Sequence, residues 1–589
     1  MGADLRNEPC LVLDIDDSLT KAVLIDKTEQ GYAIKGTSQT STTVDPPNLD
    51  VTIGAEKAAK DLGHSVGKAL WAADGPSKGL RFLCSSSTGG SLYMMVAGIT
   101  SMISAESAQR AALGAGALLI DVFSKDYPRP DYEMVERMRS MKPDIFLLAG
   151  GTDGGAVQQV LDMARLIKTA DVRPRFGSKY KLPMIYAGNI EIRNQVSETL
   201  SEERYATKAV DNVRPAVERE NLGPAKEAIY DSFMEHVIVH SPGYSKLVSW
   251  VDEPIIPTQA AIGKILYAYA LERQVNLLAV DVGGATTDVY SIYHSVFNRS
   301  LNADIGLTYG ISNIAKMAGI GKVMRWIPKE MSEREVRNII GNMMVQQPPS
   351  LTSDEILVQQ AAAREAMRLA VENHKEIASR LKGVSVRRDI GDIFSQAFES
   401  TYLDMMKTQV VLGRGRVFTQ NQTTEATILL LDALQPQGVT EMMIDRLGVM
   451  PHLGMLLKES PQGAVQLLSR ECLLKLGTCL APKGRGNRSG VAMWIRMTKA
   501  DGTTTEDEVS FGELRTLALG NGDRARLEVT PRRGLDVGRG NGRRLEVDVV
   551  GGELGLIVDA RGRPLEVPAE KHLLAKWGKS LTPNQQSFA

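Results

Sequence analysis

The chain has 589 residues, 43% hydrophobic, 24% charged and only 5% aromatic, enough for three or four domains with proper cores. Its 69 Lys and Arg stand against 70 Asp and Glu, and no basic patch is interleaved with aromatics, so neither global charge nor local pattern favours a nucleic-acid partner. Cys10, Cys84, Cys472 and Cys479 lack any C-x2-C spacing, which argues against a disulfide framework and a zinc site and for reduced, buried thiols.

The N-terminal residues Met1 to Arg6 carry no signal-peptide core and no Ser or Thr at position 6 for myristoylation, and no apolar stretch approaches the roughly 18 residues that span a bilayer. A soluble cytoplasmic protein without membrane contact is expected. Leu11 to Ile25 then reads as strand, turn and strand, with Asp14 at the end of the first strand and Asp16, Asp17, Ser18, Thr20 and Lys21 following. Alternation along a strand points Asp14 and Asp16 the same way. Ser85-Ser86-Ser87-Thr88-Gly89-Gly90 reads as an anion nest or as an inter-strand turn. A buried strand over 144–149 ends in Gly150-Gly151-Thr152-Asp153-Gly154-Gly155, and a further apolar strand spans 183–187. A polar insertion near 197–235 reads as helices on the outside of this half. His236 and His240 are four apart, but Met234 to Val239 reads as a strand that would separate them.

The second half opens on the apolar run 277–280, followed by Asp281-Val282-Gly283-Gly284-Ala285-Thr286-Thr287-Asp288 and the β-rich run 289–293. Paired glycines open backbone angles closed to other residues and leave room for a phosphate oxygen beside main-chain N–H groups. Thr286 and Thr287 can add hydroxyls, and Asp281 is placed to hold a hydrated Mg2+. A tight hairpin with an acidic end is the bland alternative. A long helix from Ser353 to Arg380 follows the breaker Gln347-Pro348-Pro349-Ser350, with Ser353 as its N-cap. The strand 409–412 ends in Gly413-Arg414-Gly415, and another apolar strand spans 440–444. From Asp14 to Gly150 is 136 residues and from Asp281 to Gly413 is 132, which reads as duplication. After the loop 483–490 come short β-rich runs rich in arginine, either solvated on turns or a docking surface for an acidic partner or a cofactor's phosphate tail.

The octet Asp281 to Asp288 resembles the second phosphate loop of the actin, Hsp70 and sugar-kinase ATPase superfamily, and Asp14 to Lys21 resembles its first, with Asp16 where that pattern has glycine. Cys84 to Gly90, Ala111 to Ala117, Leu148 to Gly155 and Asp304-Ile305-Gly306 narrow the likeness, over residues 8 to 450, to the MutL/GlmL family encoded beside adenosylcobalamin-dependent glutamate mutase and related aminomutases. The mismatch-repair protein of the same name is not similar.

The resemblance implies an α/β fold: duplicated ribonuclease H-like domains of the actin/Hsp70 type around an interdomain nucleotide cleft, plus a small C-terminal β-rich domain. Expected boundaries are 1–268 for the first half, 269–450 for the second with a helical insertion near 330–400, 451–486 for a helical connector and 487–589 for the β-rich domain. It further implies ATP and Mg2+ as ligands. Asp14 and Asp281 would be the catalytic carboxylates holding Mg2+ through water; Ser18, Thr20, Lys21, Gly283, Gly284, Thr286 and Thr287 would hold phosphates; Gly413 and Gly415 would bind adenosine. Asp16 and Asp17 would make binding strongly cation-dependent and turnover slow or absent. The implied function is a chaperone-like reactivating factor for an adenosylcobalamin-dependent aminomutase of the glutamate, ornithine or lysine type. The alternatives are a small-molecule kinase or ATP-dependent amidohydrolase on the same scaffold, and a nucleotide-binding interaction protein without hydrolysis. The cobalamin signature D-x-H-x-x-G is absent.

Overall fold

A computed structural model describes residues 8–581 apart from 17–18, 30, 45, 88–91, 127, 176, 178, 201–202, 237–241, 304, 309, 346–350, 379–400, 402 and 485–489. The chain divides into two compact units, one of residues 1–269, 379–400 and 449–471, the other of 270–378, 401–448 and 472–589.

The first unit contains β1 (Cys10–Ile15), β2 (Leu19–Thr28), β3 (Gly31–Ser41), the two-residue β4 (Trp71–Ala72) and β5 (Gly75–Pro76), β6 (Arg81–Ser86), β7 (Tyr93–Gly98), β8 (Leu118–Ser124), β9 (Ile145–Leu148), β10 (Leu182–Tyr186), β11 (Tyr205–Ala209) and β12 (Ile256–Pro257). Its main sheet has the order β12-β6-β1-β2-β3. β1, β2 and β3 are antiparallel neighbours, while β6 runs parallel to β1 and β12 parallel to β6. The helix Val51–Val66 packs on this sheet because Val51, Ala55, Ala58, Ala59 and Leu62 recur at helical spacing and are wholly buried in the same core as Leu11, Leu13 and Leu24. Asp50 caps its start by accepting from Thr52 N at 2.8 Å, and Gly67 ends it at φ +65°.

Between β6 and β12 the chain builds a second, all-parallel sheet of order β11-β10-β9-β7-β8. Numbered along the chain this is 2-1-3-4-5, the doubly wound order. Both faces are covered: Met95, Ala97, Phe146, Leu148 and Met184 enter one core, Met94, Val96, Ile145, Leu147 and Ile185 the other. That two-sided burial explains the uninterrupted apolar runs of these strands. The segment read as an outer helical insertion near 197–235 includes the edge strand β11. Met234 to His236, read as part of a strand, instead end the helix Gly223–His236, since the Ala225, Ala228, Ile229, Ser232 and Phe233 face is buried at helical spacing; His240 lies outside the described residues.

The second unit contains β13 (Leu277–Val282), β14 (Thr287–Tyr293), β15 (Val296–Asn302), β16 (Val410–Arg414), β17 (Gly438–Asp445), β18 (Leu473–Ala481), β19 (Val491–Lys499), β20 (Thr504–Ser510), β21 (Leu514–Leu517), β22 (Arg524–Pro531), β23 (Leu545–Val550) and β24 (Leu556–Asp559). Eight of them form one sheet of order β15-β14-β13-β16-β17-β18-β24-β21. β13, β14 and β15 are antiparallel neighbours, β16 is parallel to β13 and β17 parallel to β16. The five strands from β15 to β17 therefore repeat the five-strand order and directions of the first unit. The counterpart of β16 is β6, not Ile145–Leu148 as the equal spacing suggests. A buried parallel strand reads as an uninterrupted apolar run whichever sheet it joins, and β6, which ends in serines, lacks the closing glycines that the spacing matched.

Leu473–Ala481, read as part of a helical connector, is a strand antiparallel to β17, a short apolar run being compatible with either state. The helices Met450–Leu456 and Pro461–Leu467 belong to the first unit. There a Cβ on Gly454 would come within 2.1 Å of Ala261 O, Glu459 pairs with Arg81 at 2.8 Å, and Glu471 accepts from Ile34 N at 3.0 Å. Past residue 487, β21 and β24 extend the large sheet, while β20, β19, β22 and β23 form a separate antiparallel sheet. The helix Ser353–Ile377 is capped one residue earlier than the sequence suggests: Thr352 and Glu355 form a reciprocal capping box. Among the described residues no helix is long and apolar enough to cross a membrane.

Candidate functional site

Asp14 and Asp281 occupy the same position in the two repeats, each the fifth residue of a six-residue strand that turns into an antiparallel hairpin. Their neighbours differ. Across the hairpin Asp14 is registered with Lys21, and on the parallel side with Ser85. Its Oδ1 accepts from Ser85 Oγ and Thr258 Oγ1, both at 2.7 Å, and the carboxyl is buried. Thr258 begins the helix that follows β12. Asp16 is exposed and accepts from Ser87 Oγ at 2.9 Å. Ser85 and Ser87 are two apart, as are the aspartates they serve, so Asp14 and Asp16 do share one face. Ser86 faces the other way, onto Tyr244 at 2.5 Å. Thr20 is fully buried with its hydroxyl 3.0 Å from that of Thr42, so it braces the hairpin, and Lys21 is half-buried. Asp17, Ser18 and Thr88 to Gly90 lie outside the described residues.

The second loop is a turn held by backbone hydrogen bonds. Gly283 N donates to Thr286 O at 2.9 Å, while Gly283 O and Gly284 O accept from Leu307 N at 3.0 Å and Thr308 N at 2.8 Å. Gly284 and Ala285 are exposed, Gly283 and Thr286 half-buried. Thr287 is wholly buried and donates to Ile305 O at 2.5 Å, so its hydroxyl anchors the loop from behind. Gly306 lies against the turn: a Cβ there would sit 2.3 Å from Gly284 O. Asp304, its neighbour in the motif, is outside the described residues.

Asp281 is registered with Asp288 on β14 and with Arg414 on β16. Arg414 Nη1 lies 2.5 Å from Asp281 Oδ2, and Arg414 Nε lies 3.6 Å from Oδ2 of Asp445, a fully buried carboxylate that also accepts from Gly448 N at 2.9 Å. Asp288 pairs with the buried Arg299 at 2.6 Å. Burial pushes the Asp288 carboxyl up from its ordinary range, opposed by Arg299. The carboxylate read as the anchor of a hydrated Mg2+ is thus already ion-paired with a guanidinium, and it does not fit a resident metal in this arrangement. No cluster of three metal-ligating side chains occurs among the described residues.

Gly413 and Gly415, read as the adenosine turn, have local packing reasons to be glycine. A Cβ on Gly413 would meet the Phe418 ring at 3.0 Å, and Gly415, at φ +120°, would place one 2.2 Å from Val282 O. Sequence reasoning saw Ser85 only within a serine-rich turn and missed Thr258 and Asp445, which are distant in the chain, and Arg299, which lies on the strand next to that of Asp288. The alternation of Ser85 and Ser87 beside Asp14 and Asp16 was an available signal.

Five of the arginines past residue 487 form two ion-paired groups. Arg496, Arg526 and Arg544 pair with Glu506, Glu546 and Glu528 on neighbouring strands, as a solvated ladder. Arg561 and Arg563 are buried on Asp559 at 2.8 and 2.7 Å, and Arg561 also holds Asp432 at 2.8 Å. Arg524, Arg532, Arg533, Arg539 and Arg543, on the same stretch, are exposed.

Two repeats of three antiparallel strands extended by two parallel ones, each with an aspartate-headed hairpin, define a duplicated α/β fold of the actin-like ATPase type. Residues 10–472 match the family model described as MutL protein, and the chain belongs to that family. It is 28% identical over 488 residues to the protein MutL of Clostridium tetanomorphum, covering 78% of this chain and 98% of the relative. Among solved structures, nucleotide-free acetone carboxylase superposes at TM-score 0.34 with 12% identity, covering 85% of this chain and 81% of the other. A nucleotide-free diol dehydratase-reactivating factor superposes at TM-score 0.29 with 12% identity, covering 78% and 98%. The β18, β21 and β24 extension and the four-stranded sheet follow the end of the family match.

Proposed function

We propose that this chain is an ATP-binding accessory factor that restores activity to an adenosylcobalamin-dependent aminomutase. The observation that carries the reading is the internal repeat: Asp14 and Asp281 head equivalent hairpins, and the second opens onto an exposed glycine turn whose backbone is tied down from behind by Leu307, Thr308 and Thr287. Such a turn offers main-chain N–H groups to phosphate without reorganisation. Membership of the MutL family supports a mutase as the partner class. ATP binding would favour one arrangement of the chain, and the partner must bind the nucleotide states unequally, since equal affinity shifts nothing.

The experiment loads glutamate mutase, or an ornithine or lysine aminomutase, with inactive hydroxocobalamin, then adds this protein, ATP and fresh coenzyme. Recovery of mutase activity that requires both the protein and ATP is the expected result. No recovery, with no nucleotide-dependent complex with any of these mutases, would favour a small-molecule enzyme on the same fold.

A further inference from the structure

The second loop carries its own cation. The registers Asp281 to Asp288, Asp281 to Arg414 and Gly413 to Ile444 place Asp288, Asp281, Arg414 and Asp445 at one level across four adjacent strands. Directly registered residues share a face of a sheet, so this is a single row of charges, with Arg299 on β15 closing its far end against Asp288. In order the row reads Arg299, Asp288, Asp281, Arg414 and Asp445, so Asp281 faces a second carboxylate on one side and its guanidinium on the other. The first repeat is built differently: its aspartate has the hydroxyl of Ser85 where the second has Arg414, and Lys21 where the second has Asp288. The cation has changed sides.

We infer that Arg414 is the resident counter-ion of Asp281, holding the place on that carboxylate that a divalent metal would take, so that the second loop receives a nucleoside phosphate without a metal bound at Asp281. The inference deepens the ATP-binding reading and rests on it for the identity of the ligand. A guanidinium stays charged at every physiological pH and is suited to carboxylate and phosphate alike. It is also held from both sides. Moving Arg414 away to admit a metal would also withdraw a positive charge from 3.6 Å beside Asp445, which is fully buried, and losing a neighbouring countercharge is unfavourable for a buried carboxylate. Leaving Arg414 in place while a metal binds would set two cations against each other on one carboxylate.

The test uses the full chain and Mn2+ as a spectroscopic probe, followed by electron paramagnetic resonance, together with calorimetric titration of ATP in EDTA and in MgCl2. The unaltered protein should show no submillimolar Mn2+ site dependent on Asp281. Arg414→Gln should gain one, and adding Asp281→Asn should remove it. In EDTA, Arg414→Gln should bind ATP about tenfold or more weakly than the unaltered protein, the scale of one charge-assisted hydrogen bond, and MgCl2 should close that gap, any cation dependence brought by Asp14 and Asp16 being common to both proteins. A submillimolar Mn2+ site in the unaltered protein that Asp281→Asn alone abolishes would overturn the inference, and that arm needs no Arg414 variant to fold. If the Mn2+ pattern holds while ATP binds in neither buffer, the counter-ion assignment stands and the nucleotide reading falls.

Discussion

His374 shows what a single side chain contributes in the second unit. It lies on the helix Ser353–Ile377, is fully buried, and its two ring nitrogens sit 2.8 Å from the hydroxyls of Ser300 on β15 and Ser291 on β14. A neutral imidazole satisfies both contacts, donating through one nitrogen and accepting through the other. Burial pushes its pKa down to about 3 from an ordinary 6.5. The folded protein therefore binds fewer protons than the unfolded chain between those values. The His374 contribution is complete above pH 6.5 and is lost progressively as pH falls toward 3. Melting temperatures measured from neutral pH down to about pH 5 should fall, and fall less steeply in His374→Gln. Equal slopes for the two proteins would remove this residue from the account.

Among the secondary-structure elements, the ionic cluster at the end of β24 joins parts that the sequence separates widely. Asp559 holds Arg561 and Arg563, Arg561 reaches Asp432 on the helix Thr423–Leu434, and Asp432 also accepts from Arg364 at 2.8 Å on the helix Ser353–Ile377. Trp577 stacks under the Arg561 guanidinium at 4.5 Å. The two arginines hold the buried Asp559 carboxyl well below the usual carboxylate range despite its desolvation. Removing the acid strands two buried guanidiniums, so Asp559→Ala should cost about 3–5 kcal/mol, read as a lower denaturant midpoint. A loss below about 1 kcal/mol would mean that the cluster is satisfied by water instead. This cluster also accounts for two of the arginines that invited a docking interpretation: their guanidiniums are consumed inside the fold.

Across the whole molecule, what the sequence revealed was local. The hairpin at Asp281 is legible because glycine pair, threonines and flanking β runs fall within a few residues, and the hairpin at Asp14 because its strands are adjacent in the chain. The parallel sheet from β7 to β11 was not separable from the main sheet, since both contain buried, continuously apolar parallel strands. The ion pair of Asp281 with Arg414 joins residues on strands far apart in sequence, and nothing in the run Gly413-Arg414-Gly415 announces it. The return of residues 449–471 to the first unit is equally long-range. The central claim is that the glycine turn after β13 meets a nucleotide phosphate, and Gly306 offers the sharpest way to disturb that turn without touching a charge, because a Cβ there would sit 2.3 Å from Gly284 O. The most direct measurement is calorimetric titration of ATP into the intact protein and into Gly306→Ala, each first checked for a native-like thermal transition. The account predicts one ATP per chain for the unaltered protein and an affinity at least about tenfold weaker for the variant, whereas absence of binding to the unaltered protein, or equal affinity in both, would contradict it.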